Sequence, residues 1–271
     1  MERLKRALDL ARLERERRLE LQRASVAEPD HPPEASREQV QSSQIREFST
    51  DPAYLRKNGV MAADASGVIG PSFKMLRTQV LQRMKARGWN TLAVVSPTDQ
   101  DGKTFTAINL AIAVAADTNH TALLVDLDLL RPSIHRRFGF EPECGVEQCL
   151  RGDMPLSGVL LRPQGYPKLL VAPGKNPVRS SSELLGSEQG RRVIREMKER
   201  QTDGVVIFDL PPVLGADDAL TFAPQVDTAL LVVGAERTRR QNLLRCLEIL
   251  GNVTVVGTVL NGSRMESELA Y

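Results

Sequence analysis

Residues 96–104 read Ser96-Pro97-Thr98-Asp99-Gln100-Asp101-Gly102-Lys103-Thr104, and they stand between an apolar run, Thr91 to Val95, and a long apolar-rich run, Phe105 to Ala116. The first run has the length of a buried strand and the second that of a helix, so the stretch is a strand-to-helix turn. Gly-Lys-Thr at such a turn aims backbone N–H groups and the positive end of a helix dipole at an anion. Lys103 would reach outer phosphates and the Thr104 hydroxyl would ligate magnesium, so the stretch reads as a phosphate-binding loop. The strict pattern G-x-x-x-x-G-K-[ST] begins with a glycine where this chain has Pro97, so the neighbouring strands must supply the confirmation.

Working outward, further strand-like runs occur at Ala122 to Asp126, Leu169 to Ala172, Val205 to Asp209, Thr228 to Val233 and Val253 to Leu260. Most are continuously apolar, which suits strands covered on both faces. Helical stretches fall between them at Gly190 to Glu199 and Arg239 to Leu250, the latter opened by a Thr238–Gln241 capping box. Phe73, Leu76, Val80, Leu81 and Met84 share one face of another helix before the first strand. The expected fold class is α/β: a mostly parallel sheet with helices on both faces, of the P-loop NTPase-like kind with a deviant Walker A loop. Ligands of such open sheets bind at the carboxyl ends of the strands. There this chain places the loop, Asp126 and Asp128, Asp209 and Asn261, and carboxylates beside Gly-Lys-Thr point to magnesium and nucleotide.

The periodic domain runs from residue 69 to 261. Before it, residues 1–23 carry Leu4, Leu8 and Ala11 on one side of a densely charged helix, and residues 24–68 are rich in Pro, Ser, Glu, Gln and Asp, the composition of a flexible linker. Residues 262–271 form a tail ending in Tyr271. A net charge of +2 gives no case for nucleic acid. Three cysteines without metal-ligand spacing read as reduced thiols, and no apolar run is long enough for a bilayer, so a cytoplasmic protein is expected.

Taken together, Gly102-Lys103-Thr104 with Asn109-Leu110-Ala111, Leu123 to Asp128 with Arg131-Pro132-Ser133, Val206 to Leu214, Asp217 to Leu220 and Gly257 to Asn261 resemble the bacterial tyrosine kinases. Lys74-Met75-Leu76-Arg77-Thr78 and the charged N-terminal stretch look most like the branch encoded with exosortase-linked exopolysaccharide synthesis. The resemblance implies an autokinase that uses ATP and Mg2+ to phosphorylate tail tyrosines, here Tyr271, in a neighbouring subunit of a homo-oligomer. It also implies a membrane polysaccharide co-polymerase, or chain-length-determinant protein, as partner, which would hold the kinase at the inner membrane. Carried over, Thr98, Asp99, Gln100, Asp101, Gly102, Lys103, Thr104, Phe105 and Asn261 would contact the nucleotide. Thr104, Asp126 and Asp209 would serve the metal; Lys103, Asp126 and Asp128 would be catalytic, with Asp126 as the base for the phenol.

Gln100 stands where the family has glycine, Leu130 where it has arginine unless Arg131 substitutes, and Pro71 and Lys74 where its ring-forming motif has Glu and Arg. Those departures keep open a non-catalytic relative that regulates the co-polymerase; a partition-type ATPase switch shares the fold, but the position of its signature lysine holds Thr98 here. His135, beside Arg136 and Arg137, reads as part of a solvated basic helix face. Arg237, Arg239 and Arg240 read as exposed charges at a helix start.

Overall fold

The computed structural model describes residues 45–62, 69–201, 203–251 and 253–263. Among them, eight strands pair into one sheet: β1 (Arg46–Phe48), β2 (Thr91–Val95), β3 (Thr121–Asp126), β4 (Leu161–Pro163), β5 (Leu169–Ala172), β6 (Gly204–Asp209), β7 (Thr228–Gly234) and β8 (Val255–Asn261). The order across the sheet is β1-β4-β5-β3-β6-β2-β7-β8, and only the β4–β5 pairing is antiparallel. Six strands therefore run one way and bring their carboxyl ends to a single edge, with β2 between β6 and β7.

Alternation along the strands sends side chains to two cores. Leu92 and Val94 of β2, with Leu124, Ile207, Leu230 and Val232, face helices α1 (Pro52–Lys57), α2 (Ile69–Lys85), α3 (Lys103–Ala115) and α4 (Ile134–Phe138). Ala93 and Val95, with Val125, Phe208 and Leu231, face α5 (Val146–Arg151), α6 (Leu156–Val159), α7 (Ser181–Gly186), α8 (Glu188–Arg200), α9 (Asp218–Phe222) and α10 (Arg240–Leu250). Every residue of β2 and β6 is buried, as strands covered on both faces require. Helix α3 is buried along nearly its whole length, which locks the end that carries Lys103 against the sheet.

The linker expected over residues 24–68 is corrected at its C-terminal end. Residues 45–62 are built into the domain. Strand β1 pairs with β4, and Phe48 stacks on Phe140 at 4.0 Å between ring centroids. Asp51 caps α1 through Ala53 N–H, and Leu55, Val60 and Ala62 are buried. The anchor is Asn109 of α3. Its Oδ1 accepts from Met61 N (2.7 Å) and Ala62 N (2.8 Å), and its Nδ2 donates to Gly59 O (2.7 Å) and Phe105 O (2.8 Å). Composition alone marked this segment as unable to order itself, and its order comes from contacts far away in sequence. The expected N-terminal helix of residues 1–23 and the tail from residue 264 onward lie outside the described residues.

Asn109→Ala removes four bonds and strands buried backbone groups, at a cost of about 3 kcal/mol. For a domain of this size that lowers Tm by roughly 6–12 °C. Thermal unfolding checks the loss, and limited proteolysis should show earlier cleavage within residues 45–62; an unchanged Tm with unchanged cleavage would contradict the anchoring role.

Candidate nucleotide-binding site

Sheet register sets the carboxylates in place. Asp126, the last residue of β3, pairs with Asp209, the last of β6, and Asp209 pairs with Val94 of β2, one residue short of the loop. Both carboxylates are fully buried. The loop returns Thr104 and Lys103 to the same place: Thr104 Oγ1 donates to Asp209 Oδ2 at 2.6 Å, and Lys103 Nζ donates to Asp128 Oδ2 at 2.6 Å. Lys103 Nζ also lies 4.0 Å from Asp209 Oδ1.

Three carboxylates thus surround one ammonium in a site where Lys103, Asp126, Asp128 and Asp209 are all at most 8% exposed. Burial pulls the Lys103 pKa down, but Asp209 and Asp128 more than offset it, so Lys103 is held above its ordinary value and stays charged. Burial pushes the Asp126 carboxyl well above the usual carboxylate range, and Asp209 pushes it further. The N–H groups of Ser133 (2.9 Å) and Ile134 (3.0 Å), both donating to Asp126 Oδ2, oppose that shift. Asp209 is also raised by burial, with Lys103 and the Thr104 hydroxyl pulling the other way.

The remaining oxygens, Asp126 Oδ1 and Asp209 Oδ1, are buried and find no hydrogen-bond partner among the described residues. Unpaired buried acceptors beside a threonine hydroxyl fit a hard divalent cation. Among the described residues no three His, Cys, Asp or Glu side chains close into a ready-made cage. The donor set therefore suits an ion such as Mg2+, which binds through one or two carboxylates and takes its other ligands from phosphates and water.

The loop is held from outside. Asp101 is fully buried; its Oδ2 accepts from Thr98 N and Thr98 Oγ1, both at 2.8 Å, and its Oδ1 accepts from Thr238 Oγ1 at 2.7 Å. Thr238 in turn accepts from Gly234 N at 2.8 Å, so it ties the β7–α10 turn to the loop and does not form the expected capping box; α10 has Arg239 at its N-cap and no side-chain cap bond. Gly102 has φ 99°, and a Cβ there would stand 1.9 Å from Asn261 Nδ2. Asn261 Nδ2 itself donates to Asp101 O at 3.0 Å. Because Gly102 has no side chain, no side-chain bond caps α3. Its first-turn amides are left for an anion. Gln100 has φ 63°, a conformation that costs a residue with a Cβ roughly 1–2 kcal/mol.

Lys103, Thr104, Asp126, Asp128 and Asp209 are thus brought together as expected, with Thr98 to Gly102 forming the turn in front of α3. Phe105 is not: its ring packs edge-on against Phe73 at 5.7 Å, which leaves only its backbone amide for a ligand. Arg131 reaches across the mouth of the site to Asp99 Oδ1 at 2.6 Å, with both side chains about half exposed. His135 is corrected from a solvated face to a buried position, where desolvation first and Arg136 second hold its pKa low. Tyr271 lies outside the described residues. Sequence reasoning missed Thr238 and Arg237 as loop supports, and it missed Gly174, where a Cβ would stand 2.8 Å from Pro132 and 3.5 Å from Asp126. A glycine or threonine remote in sequence carries no local signal of such an approach.

No family model matches the chain. The tyrosine-protein kinase ptk of Acinetobacter johnsonii is 28% identical over 199 residues, covering 72% of this chain and 26% of that protein. The tyrosine-protein kinase etk of Escherichia coli is 31% identical over 204 residues, covering 73% of this chain and 27% of that protein. The chain thus spans about a quarter of the length of these relatives. The solved kinase domain of the Escherichia coli tyrosine kinase ETK superimposes with a TM-score of 0.70 at 25% identity, covering 79% of this chain and 84% of that one.

A carboxyl whose folded pKa is raised still holds a proton that the unfolded chain has released, so folded stability falls as pH rises from about 4 through the folded value. Asp126→Asn removes that loss while its carbonyl oxygen keeps both backbone bonds. In metal-free protein the variant should gain stability relative to wild type between pH 5 and pH 8, read by chemical denaturation; a difference that is flat or shrinks with pH would contradict the buried, proton-holding Asp126.

Proposed function

The chain belongs to the bacterial tyrosine kinase family, and from that premise we propose that it is an ATP-dependent protein tyrosine autokinase acting in exopolysaccharide synthesis or export. The observation that carries the reading is the convergence of Lys103, Thr104, Asp126 and Asp209 at the carboxyl ends of β2, β3 and β6, with two carboxylate oxygens unpaired. Loop amides and Lys103 hold the phosphates, and Thr104, Asp126 and Asp209 would hold Mg2+. When bound, that ion neutralises charge on the phosphoryl oxygens.

Lys103 has to leave Asp128 to reach a phosphate, and the nucleotide's own negative charge replaces the carboxylate as its partner. Asp126 is the base. Its carboxylate would take the phenol proton as the phosphoryl group arrives. Asp128, released from Lys103, stands next to it to orient the acceptor. Arg131 supplies positive charge at the mouth, in the region where Leu130 supplies none. The acceptor is Tyr271 of a neighbouring copy, and the partner is a membrane polysaccharide co-polymerase. Among the described residues no helix is long and apolar enough to cross a membrane, so attachment to the inner membrane would run through that partner.

Incubated with γ-labelled ATP and magnesium, the protein is expected to carry label on Tyr271, and Lys103→Ala is expected to reduce it by about 100-fold or more. Mass spectrometry locates the label. Nucleotide binding without phosphotyrosine, even with the co-polymerase present, would select the non-catalytic alternative; hydrolysis coupled to dimerisation without label would select the ATPase switch.

A further inference from the structure

We infer that Arg237 is a positioning residue for the phosphate-binding loop: it holds Gln100 in the left-handed conformation that brings the loop's amides to bear on a nucleotide's phosphates. The inference rests on the nucleotide-binding reading of the site. Its evidence is a geometry that the Gly-Lys-Thr pattern does not contain. Gln100 has φ 63°, a region that suits glycine and strains a residue with a Cβ. Arg237 Nη1 donates to both ends of that residue, to its backbone O at 3.1 Å and to its side-chain Oε1 at 3.0 Å. Glycine could use only the first of these bonds.

The turn that presents Arg237 is itself fixed. Arg237 N and Thr238 N both donate to Gly234 O, Thr238 Oγ1 donates to Asp101, and Gly234 has no room for a Cβ beside Asp101 Oδ1, at 2.8 Å. The β7–α10 turn and residues 98–101 therefore form one clasp, closed at Asp101 by buried bonds and at Gln100 by a surface arginine. Without Arg237, only the strained φ of Gln100 changes its balance: the loop loses the contact that offsets it and populates other conformations. A left-handed penalty left uncompensated corresponds to about a 5- to 30-fold loss in the population of the binding-competent loop.

The test compares the effect of Arg237→Ala in two backgrounds, wild type and Gln100→Gly, by calorimetric titration with Mg-ADP. In the wild-type background Arg237→Ala should weaken binding about tenfold; in the Gln100→Gly background, where no strain needs holding, it should weaken binding threefold or less. Equal losses in both backgrounds, or no loss in either, overturn the inference. Amide hydrogen exchange of residues 99–103 in nucleotide-free protein separates it from the reading beneath it. Faster exchange in Arg237→Ala with no Mg-ADP binding by wild type sinks nucleotide binding and keeps the clasp, whereas tight binding by wild type with unchanged exchange in the variant sinks the clasp alone.

Discussion

Lys103 sits among Asp126, Asp128 and Asp209, and this imbalance of buried charge is what the rest of the molecule is arranged around. Charge removed from water is costly unless paired, and here three carboxylates share one ammonium and one hydroxyl. The protein meets part of the deficit by holding Asp126 and Asp209 closer to their neutral forms and part by two backbone N–H groups. The remainder is left as two unpaired oxygens, and a divalent cation with bound phosphates is the chemical complement of that remainder. On the nucleotide-binding reading, the same atoms that concentrate negative charge here give the site its affinity for a metal-bound phosphate.

Such a site needs a rigid frame, because a carboxylate free to turn toward water would discharge the imbalance. Strand register supplies that frame: Asp126 and Asp209 are paired neighbours on β3 and β6, both covered above and below by the two cores. Helix α3, buried along most of its length, fixes Lys103 and Thr104. The loop between is braced internally by Asp101 and held from outside by Asn261, Thr238 and Arg237, all reaching it from segments far away in sequence.

The elements with strong local signals were legible in advance. Thr91 to Val95 and Leu169 to Ala172 are the strands at the expected bounds, and the other four interior or edge strands differ by one or two residues at their ends. Lys103, Thr104, Asp126, Asp128 and Asp209 were legible for the same reason, since the end of a buried strand in an open parallel sheet is where ligands bind. What escaped was non-local. Strands β1 and β4 and helix α1 are too short for a periodicity to show, and the first and last are ordered by Asn109 and Phe140 from elsewhere in the chain. Thr238 satisfies a capping pattern, yet its hydroxyl donates to the buried Asp101 carboxylate and its oxygen accepts from Gly234 N, so it caps no N–H of α10. His135 sits beside two arginines in sequence, but on a short helix whose inner side meets Phe140.

On the proposed reading, the carboxylate excess around Lys103 is the binding determinant for a metal-bound nucleotide. Calorimetric titration with Mg-ADP near neutral pH, run in two buffers of different ionisation enthalpy, reads it directly, because a cation that takes up Asp126 must displace the proton held there. Magnesium-dependent binding is expected, with net proton release that fades as pH rises above the Asp126 range. Binding of the same strength without magnesium, with the heat independent of buffer, would contradict it.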